Sequence, residues 1–84
     1  MTRYTVVLTD TAQRDLDRLD RSVARRIVAR LAELQDDPLR KLGRLVNSPY
    51  YRLRVGDWRV IVEVDHHQVR VLVIKVAHLR SIYR

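Results

Sequence analysis

Between Tyr50 and Val76 apolar and polar side chains alternate along three runs, and this alternation constrains the fold more than any other feature of the chain. Tyr50 to Val55, Trp58 to Val64 and Val69 to Val76 are rich in β-branched and aromatic residues, as strands are. Gly56-Asp57 between the first two runs is a two-residue hairpin signal, and Asp65 to Gln68 forms the second turn. Successive side chains of a strand point to opposite faces, so register decides what each face carries. If Gly56-Asp57 is the whole loop, Val55 pairs with Trp58 and Arg54 lies opposite Arg59. Leu53, Val55, Trp58, Val60, Val62 and Val64 then share one face. Arg52, Arg54 and Arg59 occupy the other. Pairing Val64 with Val69 adds Val69, Val71 and Val73 to the apolar face. It turns Arg70, Leu72, Ile74 and Val76 toward the arginines and sets Glu63 opposite Arg70. Ile61, Leu72 and Ile74 then form an apolar strip beside the basic patch.

An apolar sheet face needs a cover, and the first half of the chain supplies it. Tyr4 to Leu8 reads as a strand. Asp10 follows as a helix cap, with Gln13 reaching back to it. Ala12, Leu16 and Leu19 recur at helical spacing, and after a restart at Asp20 to Ser22 so do Val23, Ile27, Leu31 and Leu34. Asp36-Asp37-Pro38 stops the second helix, because a residue before proline is pushed out of helical geometry. Residues 39–49 read as a connection. The order β-α-α-β-β-β predicts a single α+β domain over residues 1–84, an antiparallel sheet with an αα-hairpin packed on one face.

The arginine face would then look outward, and the charge distribution says what it meets. Residues 1–39 carry seven basic and seven acidic side chains. The formal net charge of +7 therefore resides in residues 40–84. A basic half of this kind points to a nucleic acid, an anionic membrane or an acidic protein partner. Like charges directly opposite each other destabilise a sheet, whereas a phosphate between them turns repulsion into attraction. Guanidinium forks match phosphate oxygens. RNA is the polyanion this face suits best.

The tail carries His78, Arg80, Tyr83 and Arg84. RNA cleavage by 2′-hydroxyl attack needs a base, cations around the pentavalent phosphorus and an acid for the leaving 5′-oxygen. It needs no metal and no cofactor. Tyr83 also suits stacking on a base. His66-His67 lacks a third ligand, and without cysteine there is neither disulfide nor thiol chemistry. No apolar run reaches membrane-spanning length and no signal-peptide pattern is present, which fits a reducing cytoplasm and no membrane partner.

Tyr51-Arg52-Leu53-Arg54-Val55-Gly56-Asp57-Trp58-Arg59-Val60 resembles the central motif of the RelE/ParE toxin superfamily. His78-Leu79-Arg80-Ser81-Ile82-Tyr83-Arg84 is similar to its closing motif, and Ala12 to Leu19 to its helical one. The resemblance spans nearly the whole chain and implies the RelE-like microbial RNase fold. A RelE-type member would be an mRNA interferase: a metal-independent endoribonuclease that cuts mRNA in the ribosomal A site. It would be the toxin of a type II toxin–antitoxin system, held in check by an acidic RelB-like antitoxin. The resemblance implies that Arg52 and Arg54 hold the RNA backbone, Arg59 the transition-state phosphate, and Tyr83 the scissile nucleotide. Leu79 stands where the family has a tail arginine, a proposed general acid; Arg80 is next door but would point differently, so the proton would come from His78 instead. Two alternatives accompany this reading. One is a ParE-type inhibitor of DNA gyrase. The other is a catalytically weakened homologue that binds RNA or antitoxin.

Overall fold

The computed structural model describes residues 3–82. Strand β1 (Thr5–Leu8) leads into helices α1 (Asp10–Asp17) and α2 (Arg21–Ala32). Two 3₁₀ turns (Glu33–Gln35 and Pro38–Lys41) and a two-residue strand β2 (Gly43–Arg44) follow. Strands β3 (Tyr51–Val55), β4 (Trp58–Asp65) and β5 (Arg70–His78) then lead to a last helical turn, α3 (Leu79–Ile82). The five strands form one sheet in the order β1-β5-β4-β3-β2.

The expected α+β architecture holds. Ala12 and Leu16 of α1 and Ile27 and Leu31 of α2 are buried in one cluster with Leu53, Val55, Val60, Val62, Val71 and Val73 of the sheet. Each helix turns its apolar stripe onto the valine face, and the hydrophobic effect fixes the sandwich.

Four details depart from the sequence reading. The sheet is mixed rather than wholly antiparallel, because β1 pairs parallel with β5 through Thr5↔Arg70 to Leu8↔Val73. Residues 43–44, read as connection, pair antiparallel with β3. Two residues are too few to show alternation. The cap of α1 is Thr9 rather than Asp10. Its hydroxyl accepts from the Ala12 amide at 3.1 Å and donates to the Val73 carbonyl at 2.8 Å, tying the helix start to β5. The Gln13 side chain meets Asp17 instead of reaching back.

The fourth departure is the register of β4 and β5. Asp65 pairs with Arg70, and Val64 with Val71 rather than Val69. Asp65 Oδ1 accepts the amides of His67 and Gln68, each at 3.0 Å, which holds a wider loop closed. Val69 closes that loop in the left-handed region at φ 54°. Glu63 therefore faces Leu72, not Arg70. Further along, Val62 pairs with Val73 but Ile61 with Lys75, so Ile74 is an extra residue in β5. Such a bulge inverts the alternation after it. Val76 consequently lies in the core opposite Val60, not on the arginine side. Ile61, Leu72 and Ile74 are all half-buried and do not make an exposed strip.

Candidate nucleic-acid interface

The β3–β4 hairpin has the register its two-residue turn dictates. Gly56 takes φ 59°, and Arg54 pairs directly with Arg59. Leu53 and Val60 face the helices, so the three arginines share the opposite face.

The two opposed guanidinium groups resolve their repulsion asymmetrically. Arg54 is exposed, whereas Arg59 is only 7% exposed. Arg59 Nη1 donates to the carbonyls of Gly56 and Trp58, each at 2.9 Å. Hydrogen bonds from a charged donor contribute about 1.5–3 kcal/mol apiece. A cross-strand pair counts for roughly 0.2–1 kcal/mol. The turn carbonyls therefore decide where the Arg59 head sits. An arginine has five N–H donors in a fixed fork. Among the described residues nothing accepts from Nε or Nη2 of Arg59, and those donors are available to an anion.

Arg52 is held differently. Its Nη1 donates to the Arg44 carbonyl at 3.2 Å, and its guanidinium lies against Gly43, its partner across the β2–β3 pair. A Cβ at residue 43 would come within 3.0 Å of Arg52 Cζ. Gly43 is thus the seat on which this side chain lies flat. Sequence reasoning missed it, because one glycine in an apparent connection carries no signal of what lies above it.

Among the described residues no carboxylate forms an ion pair with Arg52, Arg54 or Arg59, and Glu63 shares their face farther along β4. The ion pairs of the described residues are Arg30–Glu33 and Lys41–Glu33, each at 3.4 Å, and both lie elsewhere. No group of three histidine, cysteine, aspartate or glutamate side chains suited to a metal ion occurs among them either. His66 instead meets the Tyr4 hydroxyl at 2.7 Å.

The tail joins the site at the same turn. The Leu79 amide donates to the Asp57 carbonyl at 2.7 Å, so α3 begins beside the Gly56-Asp57 loop that holds Arg59. Arg80 is exposed there. His78 goes elsewhere. It pairs with Trp58, and the two rings meet edge to face with centroids 5.0 Å apart. Trp58 packs against the core, so His78 lies at the rim of the helix-covered face, away from Arg54. Its Nδ1 accepts from the Arg80 amide at 3.2 Å. The bulge at Ile74 is the physical reason, since it resets the facing of everything that follows. Tyr83 lies outside the described residues. Of the six residues expected to act together, Arg52, Arg54 and Arg59 share a face, Arg80 stands at its end, and His78 does not join them.

The arrangement can hold a phosphodiester against fixed cations. Guanidinium stays protonated at any ordinary pH, so these arginines bind and stabilise charge rather than accept protons.

Comparison with known proteins gives a consistent picture. Residues 6–83 match the family model described as the ParE toxin of the type II toxin–antitoxin system parDE. The chain is 32% identical to the toxin RelG of Mycobacterium tuberculosis over 84 residues, covering 96% of this chain and 97% of that protein. It is similar to a solved structure of the toxin–antitoxin complex RelBE2 from the same organism, with TM-score 0.82, 30% identity and 93% of each chain covered. The chromosomal ParDE system of P. aeruginosa shares the fold at TM-score 0.71 and 14% identity, over 92% of this chain and 97% of that one.

Proposed function

This chain belongs to the ParE toxin family of type II toxin–antitoxin systems, within the RelE/ParE superfamily, and we propose that it acts as an mRNA interferase of the RelE kind. The reading is a ribosome-dependent endoribonuclease that cleaves mRNA in the A site, in the cytoplasm, without metal or cofactor. The observation that carries it is the Arg54–Arg59 pair, opposed on the sheet face away from the helices, with no ion pair to either arginine among the described residues. A DNA-gyrase inhibitor has no need of such a phosphate seat.

The roles are those the family resemblance implies, and the shared face of the three arginines supports them. Arg54 and Arg52 hold successive phosphates of the RNA backbone. Arg59, fixed by the turn carbonyls, offers its remaining donors to the equatorial oxygens of the pentavalent phosphorus. Preorganised donors of this kind stabilise charge as it develops. Arg80, at the start of the tail, serves the leaving 5′-oxygen, and the resemblance assigns the scissile nucleotide to Tyr83. His78 acts as a positioning residue that ties the start of α3 to Trp58. With leucine at 79, cleavage is slower than an arginine there would permit, and Leu79→Arg accelerates it. The partner that restrains the activity is an acidic RelB-like antitoxin. The RelBE2 structure is of a toxin with its antitoxin, which supports that assignment.

The match to a ParE toxin model favours a second reading, the inhibition of gyrase that resemblance to ParE-type toxins implies. Ribosomes programmed with a defined mRNA, and gyrase with supercoiled DNA, separate the two. Cut mRNA that disappears with Arg59→Ala supports the RNase. Intact mRNA together with inhibited gyrase replaces it with the second reading.

A further inference from the structure

A second concave site lies round the edge of the sheet from the arginines. Strand β1 ends at Leu8, opposite Val73, so beyond the bulge β5 has no strand neighbour on that side. Helix α1 crosses there instead, and Asp15 Oδ2 accepts the Val76 amide at 2.9 Å, closing the strand edge. Between helix and strand opens a cleft of about 360 Å³, whose lining includes Arg18, Leu19, Trp58, Lys75 and His78. Its volume falls in the range of small-molecule sites, roughly 300–1,000 Å³.

Its chemistry is specific. Trp58 and His78, edge to face at 89°, supply an aromatic corner in which a flat group can stack on one ring and abut the other. Leu19 adds an apolar wall. Arg18 and Lys75 supply two cations with no ion-pair partner among the described residues. The one carboxylate of the cleft, Asp15, is engaged by the Val76 amide. An aromatic surface beside unpaired cations fits a group that is flat at one end and anionic at the other. A nucleotide has that form, its base stacking on aromatic rings while its phosphate meets the cations. An acidic peptide would answer the cations but leave the rings unused.

We propose that this cleft binds one nucleotide of single-stranded RNA, with the base on Trp58 and His78 and the phosphate between Arg18 and Lys75. The choice of RNA rests on the function proposed above, but the site uses none of Arg52, Arg54 or Arg59. RNA leaving the arginine face would pass round the end of β5 to reach it.

Trp58 is the only tryptophan, so its indole N–H gives one proton–nitrogen NMR resonance that reports the cleft directly. The full chain is titrated with adenosine 5′-monophosphate, adenosine, inorganic phosphate and a short polyglutamate. Adenosine monophosphate should shift the indole resonance saturably. Adenosine should bind at least about tenfold more weakly, and phosphate alone should leave the resonance in place. Arg18→Ala with Lys75→Ala should weaken the nucleotide about tenfold or more, with the rest of the spectrum confirming an intact fold. Arg54→Ala should change nothing at Trp58 while abolishing cleavage. A chain that cuts no RNA yet binds the nucleotide here sinks the RNase and keeps the cleft. Absence of a saturable shift, equal binding by the double variant, or an equal shift from polyglutamate overturns the proposal.

Discussion

The two turns at the ends of β4 satisfy their loop backbone in opposite ways. At Gly56-Asp57 a cation, Arg59, donates to two carbonyls. At the far end an anion, Asp65, accepts from two amides. The difference lies in what each charged group has left over. A carboxylate that accepts from two amides, with Arg70 across the strand pair, has much of its accepting capacity used within its own loop. A guanidinium with two carbonyls has donors and a full positive charge in reserve. The first turn therefore keeps donors free for the proposed ligand, whereas the second uses its charged group to close its own loop. The tail docks on the first turn as well, through Leu79 and Asp57. Arg54, Arg59 and the start of the tail lie at that end, and Arg52 follows two residues along β3 on the same face.

The largest expected effect breaks the first turn's function. Arg59→Ala removes the fixed cation, and losing a preorganised donor to a transition-state oxyanion typically costs 10²–10³ in rate, about 2.7–4 kcal/mol. mRNA cleavage on programmed ribosomes should fall by about that factor while the protein stays folded. A loss below about threefold would show that Arg59 only braces the turn.

Gly56→Ala tests the turn itself. A side chain at φ 59° meets the left-handed penalty of roughly 1–2 kcal/mol, and urea unfolding should show a destabilisation of that size. The added Cβ has room, since its nearest neighbour is the tip of Arg26 at 3.4 Å, so the loss measures backbone strain alone. An unchanged midpoint would mean that the turn has relaxed to another type.

These two turns also show how much of the molecule the sequence makes legible. A glycine-containing two-residue loop admits few geometries, so it fixed the β3–β4 register and the Arg54–Arg59 pair. The four-residue spacing after Asp65 carries no such restriction, and a bulge at Ile74 leaves no mark in a run of alternating aliphatic residues. That single unread residue displaced Val76 from its expected side and sets His78 opposite Trp58. The parallel neighbour of β1 was equally hidden, because the choice of an edge partner depends on contacts far apart in the chain. The arginine face was legible because its pattern is local. The seat of Arg52 on Gly43 was not, because it joins residues in different strands.

Gly43→Ala sharpens that last point. The new Cβ would displace the Arg52 guanidinium, and RNA cleavage should drop about three- to tenfold, or up to about 1.4 kcal/mol. Thermal stability should hardly change, since residue 43 sits on a short edge strand. A variant with full activity would show that Arg52 reaches the RNA without its seat.

Val69→Asn is the counterpart of Gly56→Ala at the second turn. A β-branched residue at φ 54° is strained, and asparagine tolerates that region better. The Val69 carbonyl accepts from the Thr5 amide at 2.9 Å, so the backbone is pinned and cannot relax away. Replacement should raise stability, by up to about 1 kcal/mol after the loss of a half-buried apolar side chain. Cleavage should be unaffected. Destabilisation instead would mean that the packing of Val69 outweighs its strain.

The smallest effect is a pH dependence confined to the second turn. The Gln68 amide, with the His67 amide and the charges of Arg70 and His67, holds the Asp65 carboxyl below the usual aspartate range against the opposing effect of desolvation. A lowered folded-state pKa makes the ionised form the stabilising one. That contribution is fully present above the unfolded value of about 3.9 and is lost as pH falls through the lower folded value. Asp65→Asn keeps an oxygen for the two amides and removes the titration. Urea midpoints measured from pH 5 downward should therefore fall more steeply for the parent chain than for the variant. At the first turn the charged group is an arginine, which does not titrate in this range, so Arg59→Gln should leave the slope unchanged. Parallel curves for parent and Asp65→Asn would show that Asp65 acts only through its shape, and the contrast between the two turns would then rest on the cation alone.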